Sequence, residues 1–492
     1  MGKTAKETED NAIQDKTMDA LLLENLKSLF NPTTVAVIGA SEKPDKLGFH
    51  VMKSLKLGNF RGMILPVNPG AERIMGIRAL PSISDYQDPI DLAVIVLPSK
   101  SVPKIFEECI RKGIKGIVLI TAGFKEIDDP KGAELQDSLA KLANEAHIPV
   151  IGPNTFGMIN LHQSLNASFT PEFSMLQEGG ISLVSQSGGM SHLLAFMGMR
   201  QQAGMSKIIG LGNRLNVDFA EMVTFLMDDA ETRVISLYIE GLENPGKLIQ
   251  AANKKRGIKP IVAYKTGQAT SGDRASLSHT GSMAGNQSIY EGALRQAGIT
   301  CVHNAESLLD TSRALAMCPP LKGNRIAILS GQAGPGMAAC DVCESEGLEL
   351  TSFSSGTQKA INDLLPPLAL RTNPVDMGPA WYDSVAIAGI MRAVMEDPRV
   401  DGIILLMMFA SANKEAVAGM SAFLIESRQK KPVVACLSAP PGIWDDQVLG
   451  LEKKGALINV PTPERAARSM ANLWEYKTMI DRVPYESNTC AH

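Results

Sequence analysis

Short β-branched apolar runs alternate with longer helical patterns along almost the whole chain. Runs such as Thr34–Gly39 (TVAVIG), Val234–Ile239 (VISLYI) and Gly402–Met407 (GIILLM) are nearly continuous in apolar residues, with no polar face. A strand of that kind is buried on both sides, which predicts parallel sheets covered by helices. The fold class expected is α/β, with three consecutive doubly wound parallel-sheet domains. The length agrees, since 492 residues make about three domains at roughly 150 residues each.

The breaks in the alternation set the expected boundaries. Residues 1–28 read as a polar N-terminal extension ending in one amphipathic helix. A first block spans 29–174, with strands at Thr34–Gly39, Met63–Val67, Leu92–Leu97, Gly116–Ile120 and Pro149–Ile151. A second spans 175–318, with strands at Ile181–Ser185, Lys207–Leu211, Val234–Ile239 and Pro260–Lys265. The Gly/Ser/Thr-rich stretch Thr266–Gly285 then interrupts it, and a loop that long inside a domain is usually functional or disordered. After Cys318-Pro319-Pro320 a third block spans 322–480, and 481–492 is a polar tail.

Charge and composition exclude several classes. Lys plus Arg is 48 and Asp plus Glu is 52, so no basic excess calls for nucleic acid or an anionic membrane. Apolar runs such as Ile403–Ala410 fall far short of the roughly 20 residues that span a bilayer. The polar N-terminus lacks the apolar stretch of an export signal, and Lys6 stands where myristoylation wants Ser or Thr. Seven scattered cysteines suggest reduced thiols and a cytoplasmic home. Cys340 and Cys343 form a CxxC with no second pair, which reads as two positions on a helix and not as a zinc site. No paired-ligand spacing occurs among the histidines, so no metal site is expected.

Three loops carry chemistry. In the first, Gly39-Ala40-Ser41 ends a strand, and Gly48 follows at the start of a helix. Such a turn brings backbone N–H groups and a helix dipole to phosphate. It is not GxGxxG, however, and the next strand ends in Asn68-Pro69, where NAD binders place a carboxylate. A ribose-phosphate ligand such as coenzyme A suits a site without that charge. The bland alternative is an ordinary strand–turn–helix.

In the second loop, Ser185-Gln186-Ser187-Gly188-Gly189 leads from a buried strand into an apolar helix running to about Met199. Hydroxyls and free amides at a helix N-terminus make an anion site. Ser187 could simply cap the helix, but capping alone does not call for two glycines after it.

The third is Ala275–Ser282, with His279 set among small hydroxyl residues. Neutral imidazole there could accept a phosphoryl group, given an acceptor to orient its other ring nitrogen. Glu240, at the end of the strand Leu237–Glu240, is the candidate acceptor. The other histidines carry less. His50, His147 and His192 lie in or beside helical patterns, His162 and His303 are isolated, and His492 is terminal.

Taken together, these stretches resemble the α subunit of the NDP-forming acyl-CoA synthetases (acetate–CoA ligase, ADP-forming), relatives of succinyl-CoA synthetase. The matching segments are VAVIGAS at 35–41, PVNPG at 66–70, IGPNTFGMIN at 151–160, LVSQSGG at 183–189, LYIEG at 237–241, SHTGSMAG at 278–285, GPG at 334–336 and NPVD at 373–376. They cover about residues 29 to 480 in family order.

The resemblance implies a Rossmann-like CoA-binding domain followed by two flavodoxin-like ligase domains. It places Gly39, Ala40, Ser41, Gly48, Asn68, Pro69, Val96, Pro98 and Gly123 on CoA. It makes His279 the phosphorylated histidine, steadied by Glu240, with Ser185, Ser187, Gly188 and Gly189 cradling phosphate. Asn154 and Thr155 would face the reacting carboxyl group. The GPG and NPVD segments would be structural or lie at an interface. The implied reaction joins an acid and CoA, consuming ATP and releasing ADP and phosphate.

The chain holds no stretch resembling an ATP-grasp domain and no obvious second transfer histidine. Gly331-Gln332-Ala333 also differs from the run the family often carries before GPG. The resemblance therefore implies a separate ATP-grasp β subunit, holding ATP/ADP and Mg²⁺, in a hetero-oligomer such as α2β2. Two competing readings are a nucleotide-independent acyl or carbamoyl transferase and a non-catalytic CoA-binding scaffold. A scaffold would need neither His279 nor Glu240.

Overall fold

The apolar runs named above form strands, and those at Thr34–Ile38, Leu92–Ile95, Gly116–Leu119, Met205–Gly210 and Val234–Ile239 are buried along their whole length. The computed structural model of the chain describes residues 20–267, 287–367 and 370–482. It divides into two compact units, Met1–Ala297 and Gly298–His492.

The first unit opens with helix α1 over residues 20–30. Strand β1 (Thr34–Ile38) follows, then α2 (Leu47–Leu57), β2 (Met63–Val67) and a small hairpin of β3 (Arg73–Ile74) and β4 (Ile77–Arg78). Next come β5 (Leu92–Ile95), α3 (Val102–Lys112), β6 (Gly116–Leu119), α4 (Pro130–Glu145) and β7 (Val150–Ile151). They form a parallel sheet ordered β2-β1-β5-β6-β7. Its register sets Ile38 beside Val67 and Ile95, and Ile95 beside Leu119. The carboxyl ends are therefore level, and the loops leaving them share one edge.

A second sheet follows in the same unit. It contains β8 (Gly157–Asn160), β9 (Leu165–Ser168), β10 (Glu178–Ser185), β11 (Met205–Gly210), β12 (Val234–Ile239) and β13 (Ile261–Lys265). Helices α5 (Gly188–Arg200), α6 (Phe219–Asp228) and α7 (Pro245–Lys254) connect its parallel strands. Within this unit the order is β13-β12-β10-β11-β8-β9. Not all of it is parallel: β8 pairs antiparallel with both β11 and β9. Only the single turn Leu161–Gln163 separates β8 from β9. A parallel crossover needs a dozen residues or more, so this pair can only run antiparallel.

Specific contacts join the two sheets. Phe30 of α1 stacks on Phe225 of α6 with ring centroids 4.8 Å apart, and Asn160 Nδ2 donates to the Phe30 carbonyl at 2.9 Å. Asn216 clamps the start of β7, accepting from Val150 N at 3.0 Å and donating to the Ile148 carbonyl at 2.9 Å. These contacts hold the loop after β7 next to the loops after β10 and β11.

The second unit contains β14 (Ile299–Val302), β15 (Arg325–Ser330), β16 (Glu349–Leu350), β17 (Val375–Asp376), β18 (Gly402–Met408), β19 (Val433–Ser438) and β20 (Ile458–Asn459). A parallel sheet runs β16-β15-β18-β19-β20, with β17 also paired to β15. One apolar cluster centres on Leu329, Leu405 and Trp444, and another on Ile328, Leu406 and Met470. Neighbouring strand residues point to opposite faces, so the sheet is packed on both sides. Asn373 of the NPVD segment is structural: it accepts from Ile328 N at 2.9 Å and donates to the Ile326 carbonyl at 2.7 Å.

Cys340 and Cys343 fall on the helix Ala333–Ser345 as the spacing suggested, and Cys109, Cys318, Cys340, Cys343 and Cys436 form no disulfide. Burial pushes the Cys343 thiol up to about 12, which keeps it protonated and inert. No described helix is long and apolar enough to cross a membrane.

Candidate active site

The loops at the carboxyl ends of the two sheets in the first unit enclose a cavity of about 450 Å³. Six residues singled out in the sequence line it together: Asn154, Thr155, Ser187, Gly188, Gly189 and Glu240. They come from the loops after β7, β10 and β12, as expected for a site at strand carboxyl ends.

Ser187 caps α5, its Oγ accepting from Met190 N at 3.4 Å. The wall it leads into is open, since a Cβ on Gly188 would meet nothing within 4 Å. That leaves the first amides of the helix approachable by an anion. Ser185 is fully buried and spends its hydroxyl on the Ser187 carbonyl at 2.9 Å, so it shapes the loop from behind.

Glu240 is held through its backbone. Its N–H and that of Gly241 both donate to Gln186 Oε1 at 3.0 Å, and its carbonyl accepts from Lys265 Nζ at 2.9 Å. Thr266 N donates to the Ile239 carbonyl at 2.9 Å, so the chain passes beside Glu240 just before its described stretch ends at Gly267. His279 lies outside the described residues, as does the SHTGSMAG segment around it.

Asn154 sits at φ 57°, a left-handed conformation that asparagine tolerates better than most residues. Its amide is oriented by a relay. Glu126 Oε2 accepts from Asn213 Nδ2 at 2.5 Å, which turns Asn213 Oδ1 toward Asn154 Nδ2 at 3.3 Å. Thr155 gives its hydroxyl to the Gly210 carbonyl at 2.6 Å, so it braces the loop against β11.

The residues expected on CoA gather at the neighbouring edge of the first sheet. Gly39 follows β1 at φ 95°, where a side chain would be strained, and a Cβ there would lie 2.6 Å from the Val96 carbonyl oxygen. Gly48 in the first turn of α2 is tighter still, with only 2.0 Å between its would-be Cβ and the Gly39 carbonyl oxygen. Asn68 Nδ2 donates to the Ala40 carbonyl at 2.8 Å and fixes the turn. Ser41 Oγ accepts from Lys43 N at 3.0 Å. Pro69 follows β2, Pro98 precedes the short turn Ser99–Ser101, and Gly123 (φ 104°) gives its N–H to Glu126 at 2.5 Å. Leu47 and Ala122, the sequence neighbours of Gly48 and Gly123, line the cavity and join the two sets.

Sequence reasoning missed part of the wall. Lys125, Glu126, Phe156, Phe169, His192, Asn213 and Arg214 also line the cavity. His192, set aside as a helical-pattern residue, is satisfied on both nitrogens. It makes 2.7 Å to the Gly188 carbonyl and 2.8 Å to Thr170 Oγ1, and it stacks on Phe169. The signal for Asn213 and Arg214 was their place just after β11, on the functional edge of the sheet.

Comparison with known proteins agrees with this layout. A CoA binding domain family matches residues 33–160, a Succinyl-CoA ligase like flavodoxin domain matches 178–315, and a Ligase-CoA domain matches 326–442. The Acetate–CoA ligase [ADP-forming] II subunit alpha of Pyrococcus furiosus is 35% identical over 90% of this chain and 96% of its own length. The chain belongs to the ADP-forming acetate–CoA ligase family. It is an acid–thiol ligase chain of the α-subunit type. An Acetate–CoA ligase [ADP-forming] of Methanocaldococcus jannaschii is 38% identical over 72% of this chain, which spans about half (49%) of that relative. Among solved structures of this ligase family, the dinucleotide forming acetyl-coenzyme A synthetase 1 of Ca. Korarchaeum cryptofilum, in complex with phosphate and ADP, superposes with a TM-score of 0.86 at 32% identity. It covers 92% of this chain and 97% of its own.

Proposed function

We propose that the chain is the α subunit of an ADP-forming acyl-CoA synthetase whose nucleotide is handled by a separate ATP-grasp β subunit, with Mg²⁺, in a hetero-oligomer. In synthesis, the terminal phosphoryl of ATP passes to a ring nitrogen of His279, leaving ADP on the partner. An acid carboxylate oxygen then attacks phosphorus, the P–N bond breaks, and an acyl phosphate forms. The CoA thiolate attacks the acyl carbon, the C–O bond to phosphate breaks, and inorganic phosphate leaves with the electron pair. Each step is reversible.

One observation carries this reading. A single cavity gathers the open α5 N-terminus, the oriented amide of Asn154 and Glu240, next to a turn built to admit a phosphate-bearing ligand. The α5 dipole and amides favour the phosphoryl charge, and the Glu240 carboxylate selects the tautomer of His279 that leaves its other nitrogen nucleophilic. Fixing these groups beforehand lowers the entropic cost of bringing acid, phosphoryl and thiol together. A reducing cytoplasm suits the free thiols of Cys109, Cys318, Cys340, Cys343 and Cys436.

The test is reconstitution. The purified chain with ATP, Mg²⁺, acetate and CoA is expected to make no acyl-CoA, and addition of the co-purifying subunit should restore synthesis. Robust ATP-dependent synthesis by the single chain would contradict the division of labour. A chain that interconverts acyl-CoA and acyl phosphate, with or without the co-purifying subunit, yet never couples either to ATP or ADP would instead favour a simple acyl transferase.

A further inference from the structure

We propose that Arg214 is a direct ligand of the phosphoryl group in this cavity, an assignment that rests on the phosphoryl-transfer reading above. Arg214 follows Gly212-Asn213 in the loop after β11 and lines the cavity with Ser187, Gly188, Gly189 and Glu240. The residue is only 8% exposed. Its Nη1 donates to the Gly241 carbonyl at 2.9 Å and lies 3.4 Å from both Asp218 carboxylate oxygens. Nη2 lies 3.7 Å from Glu243. Nε is buried and has no hydrogen-bond partner among the described residues.

Three points argue for a missing acceptor. A buried donor left unmade is costly, so native structures rarely keep one without a use. Neither nearby carboxylate forms the short two-bond fork that would spend the guanidinium's charge, since the contacts stand at 3.4 and 3.7 Å. Arg214 also sits at φ 59°, where a non-glycine residue is strained. The backbone would sit more easily with glycine, so the side chain is what this position retains.

The acceptor that fits is a phosphoryl oxygen. A planar guanidinium donates along parallel lines that match a tetrahedral oxyanion, and the α5 amides approach the same cavity from another wall. During transfer the charge spreads over the phosphoryl oxygens, and a fixed cation beside them stabilises that state. Arg214 forms no covalent bond and takes no proton in this role. Its bond to the Gly241 carbonyl keeps the cation in register with Glu240.

The experiment titrates inorganic phosphate, and in parallel acetate and CoA, into the full chain as wild type, Arg214→Gln, Arg214→Lys and Arg214→Gly. Arg214→Gln is expected to lose phosphate affinity by on the order of ten- to a hundredfold. Arg214→Lys should fall between it and wild type, and acetate and CoA affinities should hold in both. Arg214→Gly opens a guanidinium-sized space and frees the backbone, so added guanidinium should restore phosphate binding. Unchanged phosphate affinity in a glutamine variant that still binds CoA would overturn the assignment, as would a loss confined to acetate. Should the glutamine variant fail to fold, the glycine variant decides, and absence of rescue overturns the proposal. A wild-type chain that binds no phosphate would instead refute the reading of the cavity.

Discussion

Replacing Glu240 with glutamine is expected to lower acyl-CoA synthesis by the reconstituted enzyme about 10²–10⁴-fold, with CoA affinity and thermal midpoint unchanged. The substitution is nearly isosteric, and the backbone of Glu240 is already fixed by Gln186 and Lys265. What changes is charge. A carboxylate can accept the N–H of an imidazole and stabilise it as phosphorylation makes the ring cationic, whereas an amide offers only a neutral carbonyl. Steady-state kinetics in both directions check this, and the loss should fall on kcat more than on KM for CoA. A variant active within about twofold of wild type would remove Glu240 from the mechanism.

The second large effect is steric. Gly48→Ala is expected to destabilise the first unit by about 1–3 kcal/mol or more and to weaken CoA binding in proportion. The new Cβ would sit 2.0 Å from the Gly39 carbonyl oxygen, 2.9 Å from its carbon and 3.2 Å from Ala40 Cα. All three are backbone atoms, so no side chain can swing aside. Relief requires α2 to move away from the end of β1, which opens the turn fixed by Asn68. Urea unfolding and CoA titration read the two consequences. Gly334→Ala, whose Cβ would meet nothing within 4 Å, serves as the tolerated control.

How much was legible in the sequence depended on the kind of force involved. Val234–Ile239 is a strand over the expected residues, because burial on both faces demands an unbroken apolar run and such runs are visible in one dimension. The antiparallel pair β8–β9 was hidden, since GMIN and LNAS are too short to show a period and acquire their pairing from β11. The glycine turns were legible as well, because close backbone approach leaves no other residue possible at Gly39 and Gly48. The relay from Glu126 through Asn213 to Asn154 was not. Its members lie 87 and 59 positions apart, and no local pattern links polar residues that meet only through the fold. Lys207 illustrates the same limit. A lysine on a strand reads as solvent-facing, yet this one is 1% exposed, held at 2.6 Å by Asp229.

The central claim is that His279 carries the phosphoryl group between nucleotide and acid. The most direct measurement incubates the chain with its partner, Mg²⁺ and ATP, and locates protein-bound phosphate by peptide mass spectrometry under alkaline conditions. The account predicts phosphate on His279, discharged by acid plus CoA, with none on the α chain of His279→Ala. An enzyme that makes acyl-CoA while His279 stays unphosphorylated, or a His279→Ala variant that keeps full activity, would contradict it.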